Sequence, residues 1–203
     1  MFIKHMIDKI FGLILIVLIF PILVLLSIAI KLNSKGPIIF KQKRLGKNGK
    51  VFNMYKFRTM YVDAPDLRNE DGSTFNSDDD PRVTKVGKIL RKTSLDELPQ
   101  ILNILKGEMS FIGPRPDLPD HYDLYSEDDK KKLLVRPGVT GYAQANGRNS
   151  NSWAQRIAMD IYYIENYSLI LDIQIFFKTI FSVLKQEGVN KYSEASEEAT
   201  EKT

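Results

Sequence analysis

The hydrophobic positions of this chain fall into runs of different period. Between Ile10 and Ile30 there is no charged residue, and nearly every side chain is apolar. As one helix this run would measure about 31 Å, close to the thickness of a bilayer core. Pro21 divides it into Ile10–Phe20 and Ile22–Ile30, helices of about 16 and 14 Å, each near half that thickness. Gly36–Phe40 and Val51–Met60 flank a Gly46–Gly49 turn and predict short strands. Asp63 to Pro81 reads as a polar, acidic, solvated loop. A calcium loop fits it poorly, because aligning Gly72 with the turn glycine puts Leu67 where an acidic ligand is required. Helices are predicted near Val83–Arg91 and over Glu97–Lys106, the second stopped by Gly107. Trp153, Ile157, Ile161 and Ile164 form an apolar stripe at helical spacing. Leu169–Leu184 is apolar over much of its circumference, which suits either a core helix or one lying in a bilayer interface. Lys191–Thr203 is polar and acidic and predicts disorder. There is no internal repeat.

These elements predict an α+β fold, predominantly helical, with short strands. The chain divides into a membrane-associated segment over 1–33, a compact domain over 34–190 and an acidic tail over 191–203. A cleavable signal peptide would carry a shorter apolar core of about 7–15 residues, although Ser27-Ile28-Ala29 resembles a cleavage site. Attachment to a membrane is the better reading. Lys4 and Lys9 precede the apolar run, and Lys31 to Val62 holds nine cationic residues and no acidic one. Positive charge on both flanks does not choose a side under the positive-inside rule. It suits a re-entrant segment bent at Pro21, since proline removes a backbone hydrogen bond and clashes with the preceding turn. The rival is a kinked helix that crosses, because membrane helices tolerate proline where freed groups find partners. The basic stretch after Ile30 also suits anionic lipid, at about 1 kcal/mol per residue near the surface.

The 203 residues contain no cysteine and two histidines, His5 and His121. Disulfides, thiol nucleophiles and cysteine-rich zinc sites are excluded, and a histidine-based triad is improbable. A net charge of +4 points to an anionic partner. Neither a GxGxxG nor a GxxxxGK[ST] occurs, so no dinucleotide fold or P-loop is supported. Nucleic acid has only the net charge in its favour.

The acidic pair Asp96-Glu97 stands among arginines: all nine lie between Arg44 and Arg156. Pro114-Arg115-Pro116 fixes φ on both sides of its arginine, and Arg136-Pro137-Gly138 reads as a turn. Arginine grips phosphate oxygens bidentately, so Arg91, Arg115, Arg136 and Arg148 are candidate phosphate contacts. Each of them has a competing role, holding the fold through carbonyls or carboxylates. Pro99 is comfortable only in a first helical turn, which starts the helix near Leu95 or Asp96 and sets both carboxylates where its dipole lowers their pKa. Ordinary capping competes here too, since Ser94-x-x-Glu97 matches a capping box. Ionised carboxylates can hold Mg²⁺ beside substrate phosphates, and an aspartate nucleophile with a neighbouring acid makes a phosphoryl-transfer site.

Five ordered segments carry a family resemblance: Lys56-Phe57-Arg58-Thr59-Met60, Ser94 through Gln100, Gly107 through Pro116, Arg136 through Gly141, and Gln144 through Asn149. Together they resemble the bacterial sugar transferases, the monotopic phosphoglycosyl transferases, of the small stand-alone PglC-like type. The resemblance covers roughly residues 5 to 190. It implies transfer of a phosphosugar from a UDP-sugar to undecaprenyl phosphate, releasing UMP, as the first membrane-committed step toward a surface glycan or glycoprotein oligosaccharide. It also implies Asp96 as the nucleophile of a covalent phosphosugar intermediate, Glu97 as its partner, Mg²⁺ held by this pair, and Lys56 and Arg58 beside the substrate phosphates. The expected location is the cytoplasmic face of a bacterial inner membrane, with downstream glycosyltransferases as partners. Members of the family often carry a serine before the membrane proline; here that position is Phe20. Two rival functions remain at this stage: a basic membrane-anchored binding module without chemistry, and a Mg²⁺-dependent phosphohydrolase using water as acceptor.

Overall fold

The computed structural model describes residues 1–67, 80–147 and 151–184. The expected acidic tail, Arg148 and most of the acidic loop lie outside the described residues. A single helix, α1, runs Phe2–Asn33 with Pro21 inside it. Among the described residues it alone is long and apolar enough to cross a membrane. Its middle is bare: Leu13, Val17, Leu18, Phe20 and Leu25 are each more than 60% exposed. Its two ends are not. Lys4 is buried against Asp172 at 2.6 Å, and the Ser110 hydroxyl donates to the Asp8 carboxylate at 2.7 Å. At the other end Ile30 is buried against Phe57 and Leu90, with Leu23 and Leu26 packed beside them.

Strands β1 (Ile39–Leu45) and β2 (Val51–Phe57) form an antiparallel hairpin, paired from Ile39↔Phe57 to Leu45↔Val51. The first strand therefore lies later than Gly36–Phe40 predicted. Gly36 has φ +123, and a Cβ there would sit 2.4 Å from Val62; residues 36–38 link α1 to the sheet, and the Ile38 carbonyl already accepts from the Arg58 amide at 2.9 Å. Helix α2 (Lys85–Lys92) starts at Thr84, whose hydroxyl accepts from the Gly87 amide at 2.9 Å. A 3₁₀ segment, Leu95–Gln100, leads into α3 (Ile101–Lys106). Gly107 then stops α3 in the left-handed region at φ 79, the role its sequence position predicts.

Strands β3 (Ser110–Ile112) and β4 (Gly138–Thr140) pair in parallel, so the chain between them crosses over. They are followed by α4 (Tyr142–Ala145), α5 (Trp153–Glu165) and α6 (Leu169–Leu184). Helix α5 opens with a reciprocal capping box between Ser152 and Gln155. Helix α6 is neither wholly core nor wholly exposed. Asp172 and Ile175 are buried, while Ile170, Ile173, Phe177 and Phe181 are each more than half exposed. Asp80 corrects the solvated-loop expectation at one point: it is 1% exposed and locked to Arg82 at 2.6 Å.

Candidate active site

Asp96 and Glu97 sit half-buried in the 3₁₀ segment, packed against β2. Asn103 holds that contact together. Fully buried, it takes the Tyr55 amide at 3.0 Å and donates to the Asn53 carbonyl at 2.8 Å, bonding α3 to the edge of β2. The Lys56 ammonium consequently lies 2.7 Å from Glu97. That ion pair displaces the capping box the sequence allows, and the Ser94 side chain caps nothing. Ser94 is instead held at φ 57, a left-handed conformation that costs a non-glycine residue about 1 kcal/mol just ahead of the carboxylates.

The two carboxyls are driven in opposite directions, which corrects the expectation that a helix dipole lowers both. Burial pushes Asp96 up, and the Glu97 charge adds to this against the pull of Lys56 and Arg91. Burial also raises Glu97, but Lys56 and Arg115 outweigh it and the net direction is down. The arrangement leaves one firmly ionised acid beside one more basic carboxylate.

Around this pair the described residues gather Lys56, Arg91, Arg115 and Arg44. Arg91 reaches the site because Gly87 lets α2 approach the chain just beyond β2: a Cβ at Gly87 would stand 2.1 Å from the Thr59 carbonyl oxygen. Its Nε then donates to the Thr59 hydroxyl at 3.0 Å. Arg115 is exposed between the buried Pro114 and Pro116. Arg44 is pushed down to about 10, by burial first and then by the Arg115 charge. It was missed from sequence, yet period-two alternation carries the signal. In the hairpin register Arg44 opposes Phe52 and lies on the same face as Lys56, which opposes Phe40.

Two further expected phosphate contacts, Arg58 and Arg136, have these neighbours. The Arg58 guanidinium donates to the carbonyl of Ser34 at 2.8 Å and to that of Lys35, closing the end of α1. Arg136 lies against Gly107 at the end of α3, where a Cβ would meet its Nη2 at 3.3 Å. A family model described as bacterial sugar transferase matches residues 1–186. The chain belongs to the bacterial sugar transferase family.

This sugar transferase is 43% identical over 178 residues to the uncharacterised sugar transferase EpsL of Bacillus subtilis, covering 87% of this chain and 85% of that one. It is 40% identical over 196 residues to the exopolysaccharide production protein ExoY of Sinorhizobium fredii, covering 91% and 87%. To the undecaprenyl-phosphate galactose phosphotransferase of Salmonella typhimurium it is 37% identical over 198 residues, which is 92% of this chain but 41% of that longer protein. No group of three or more acidic or histidine side chains stands ready for a metal among the described residues. The donor chemistry of the transferase still fits a hard cation that keeps water and substrate oxygens in its shell. Two adjacent, half-buried carboxylates repel one another, and a divalent ion between them relieves that repulsion.

Proposed function

We propose that this sugar transferase moves a sugar 1-phosphate from a UDP-sugar onto undecaprenyl phosphate, releasing UMP and initiating a surface glycan. The observation that carries this is the Asp96-Glu97 pair, split in basicity and ringed by Lys56, Arg91 and Arg115. Relatives named as undecaprenyl-phosphate galactose and glucose phosphotransferases support the substrate class. Asp96 is the nucleophile. Its carboxylate attacks the phosphorus that bears the sugar, the bond to the bridging oxygen breaks, and UMP leaves with both bonding electrons. A phosphate oxygen of the polyprenyl acceptor then attacks the same phosphorus and breaks its bond to Asp96, restoring the carboxylate. Burial that raises Asp96 makes it the more reactive nucleophile once ionised, and Lys56 keeps Glu97 charged.

Arg91 and Arg115 neutralise the phosphate oxygens as charge moves between them, and Arg44 adds to the same positive field. Arg58 and Arg136 act one step removed by holding α1 and α3, while Arg148 carries its phosphate assignment on sequence alone. Asp96 and Glu97 would hold Mg²⁺, which would supply further charge neutralisation for a diphosphate.

The compact domain lies on the cytoplasmic face of the inner membrane, with α1 entering the bilayer and returning at Pro21. Lys4, Asp8 and Gly12 near one end of α1, and Leu26 and Ile30 near the other, all pack on the same domain. A helix crossing to the far side would leave one of those ends without such partners. The exposed apolar face of α6 suits the interface beside it.

The test is UMP release from UDP-galactose or UDP-glucose with undecaprenyl phosphate and Mg²⁺. Asp96→Asn should stay folded and abolish it, and mass spectrometry after UDP-sugar alone should find a phosphosugar on Asp96. Appreciable UMP release by folded Asp96→Asn would end the nucleophile assignment.

A further inference from the structure

One set of buried charges takes no part in the steps above. Lys132 is 4% exposed, and its ammonium lies 2.6 Å from Asp117 and 3.1 Å from Asp160. Asp117 also accepts from the Tyr125 hydroxyl. The Tyr125 ring stacks on Trp153 with centroids 5.8 Å apart. Leu45, Leu133 and Ile157 close around the group. Two carboxylates and an ammonium are costly to desolvate, and well-packed apolar side chains in their place are often no less stable. Stability alone is therefore a poor account of the network.

Its position gives a better one. Asp117 follows Arg115 by two residues, with the rigid Pro116 between them. The main chain of this short loop is pegged along its length. The Gly138 amide donates to the Pro114 carbonyl at 2.9 Å, Arg44 Nη1 to the Pro116 carbonyl at 3.2 Å, and the Leu45 amide to the Asp117 carbonyl at 2.9 Å. Arg115 is the exposed residue of the stretch between the buried Pro114 and Pro116. Its aim is thus set by the backbone beneath it, and Asp117 carries the side-chain clamp on that backbone.

We propose that Asp117, Tyr125 and Lys132 are positioning residues that hold Arg115 toward the nucleotide diphosphate, with Asp160 fixing Lys132 from behind. This rests on the phosphate role proposed for Arg115. Calorimetric titration of the full-length protein in nanodiscs with UDP tests it without the sugar having to be known. Tyr125→Phe deletes the hydroxyl and keeps the ring on Trp153, so the fold survives. It should weaken UDP binding about three- to tenfold, and the lost hydrogen bond to a carboxylate should lower the melting midpoint by roughly 3–12 °C without unfolding the protein. In an Arg115→Ala background the same change should cost less than about twofold, because the residue it acts through is gone. Lys132→Met should show the same dependence on Arg115, and should it fail to fold, the Tyr125 cycle decides alone. Tyr125→Phe that leaves UDP binding unchanged, or weakens it equally with and without Arg115, overturns the proposal. Parent protein that does not bind UDP, or Arg115→Ala that binds it as tightly as the parent, overturns instead the role of Arg115 itself, and is read from those two measurements alone.

Discussion

Asp172→Asn isolates how firmly the start of α1 is tied to the end of the chain. The substitution keeps the side-chain volume but strands the Lys4 ammonium, which is 5% exposed and 2.6 Å from its partner. It also weakens the acceptor that the Tyr163 hydroxyl uses at 2.7 Å. Breaking one side of a buried ion pair costs about 3–5 kcal/mol, mostly because the other charge is left unmatched. In a chain of this length each kcal/mol moves the melting midpoint by roughly 2–4 °C, so the midpoint should drop by about 6–20 °C. The double variant Lys4→Met/Asp172→Asn removes the stranded charge and should recover most of that loss. Thermal melts in nanodiscs, followed by loss of the monodisperse species, provide the assay. A drop of less than about 2 °C, or a double variant no better than Asp172→Asn, refutes the idea that this pair holds α1 to the domain.

Asp160 makes stability depend on pH. Burial raises its carboxyl from 3.8 to about 6 against the opposing pull of Lys132. Between those values the folded form holds a proton that the unfolded chain has lost, so stability falls as pH rises through about 4 to 6, by up to about 3 kcal/mol. Denaturation curves of Asp160→Asn should lack that fall, and profiles parallel to the parent's across the window would refute it. The membrane path of α1 is open to a clean chemical test because the chain has no cysteine. With single substitutions Phe2→Cys and Lys43→Cys, an impermeant thiol reagent should label neither position in intact cells and both after permeabilisation. Labelling of position 2 from outside, with position 43 protected, means a crossing helix.

Local punctuation was legible in the chain before any tertiary structure. Gly107 ends α3 where its position says it should, and α6 keeps the bounds Leu169–Leu184 that its apolar run marks out. The stripe Trp153, Ile157, Ile161, Ile164 lies on α5. What failed depended on partners distant in sequence. Lys41, Lys43 and Arg44 disguise β1, because its order comes from pairing with β2 rather than from an apolar face. Strands β3 and β4 are three residues each and parallel, so neither has a local signature. Asp96 and Glu97 were found by their neighbours in the chain, but their opposite electrostatics follow from Lys56 and Arg115, which only the fold brings near. The carbonyl partners of Arg58 were hidden for the same reason: a guanidinium binds a carbonyl as readily as a phosphate, and the carbonyls of Ser34 and Lys35 reach it through the turn after α1.

The pegs at the front of α1 also impose an order on synthesis. Lys4 finds Asp172 across 168 residues of chain, and Asp8 finds Ser110 across 102. At about 5–20 residues per second, a ribosome needs roughly ten to thirty seconds after making Lys4 before Asp172 exists. Throughout that interval the apolar middle of α1 can already be in the bilayer, while Lys4 and Asp8 wait at its edge in contact with water and headgroups. On the membrane path proposed for α1, insertion precedes closure, and the domain folds back onto a helix already in place. A chain that stalls before Asp172 is left with the Lys4 ammonium unmatched at the start of α1.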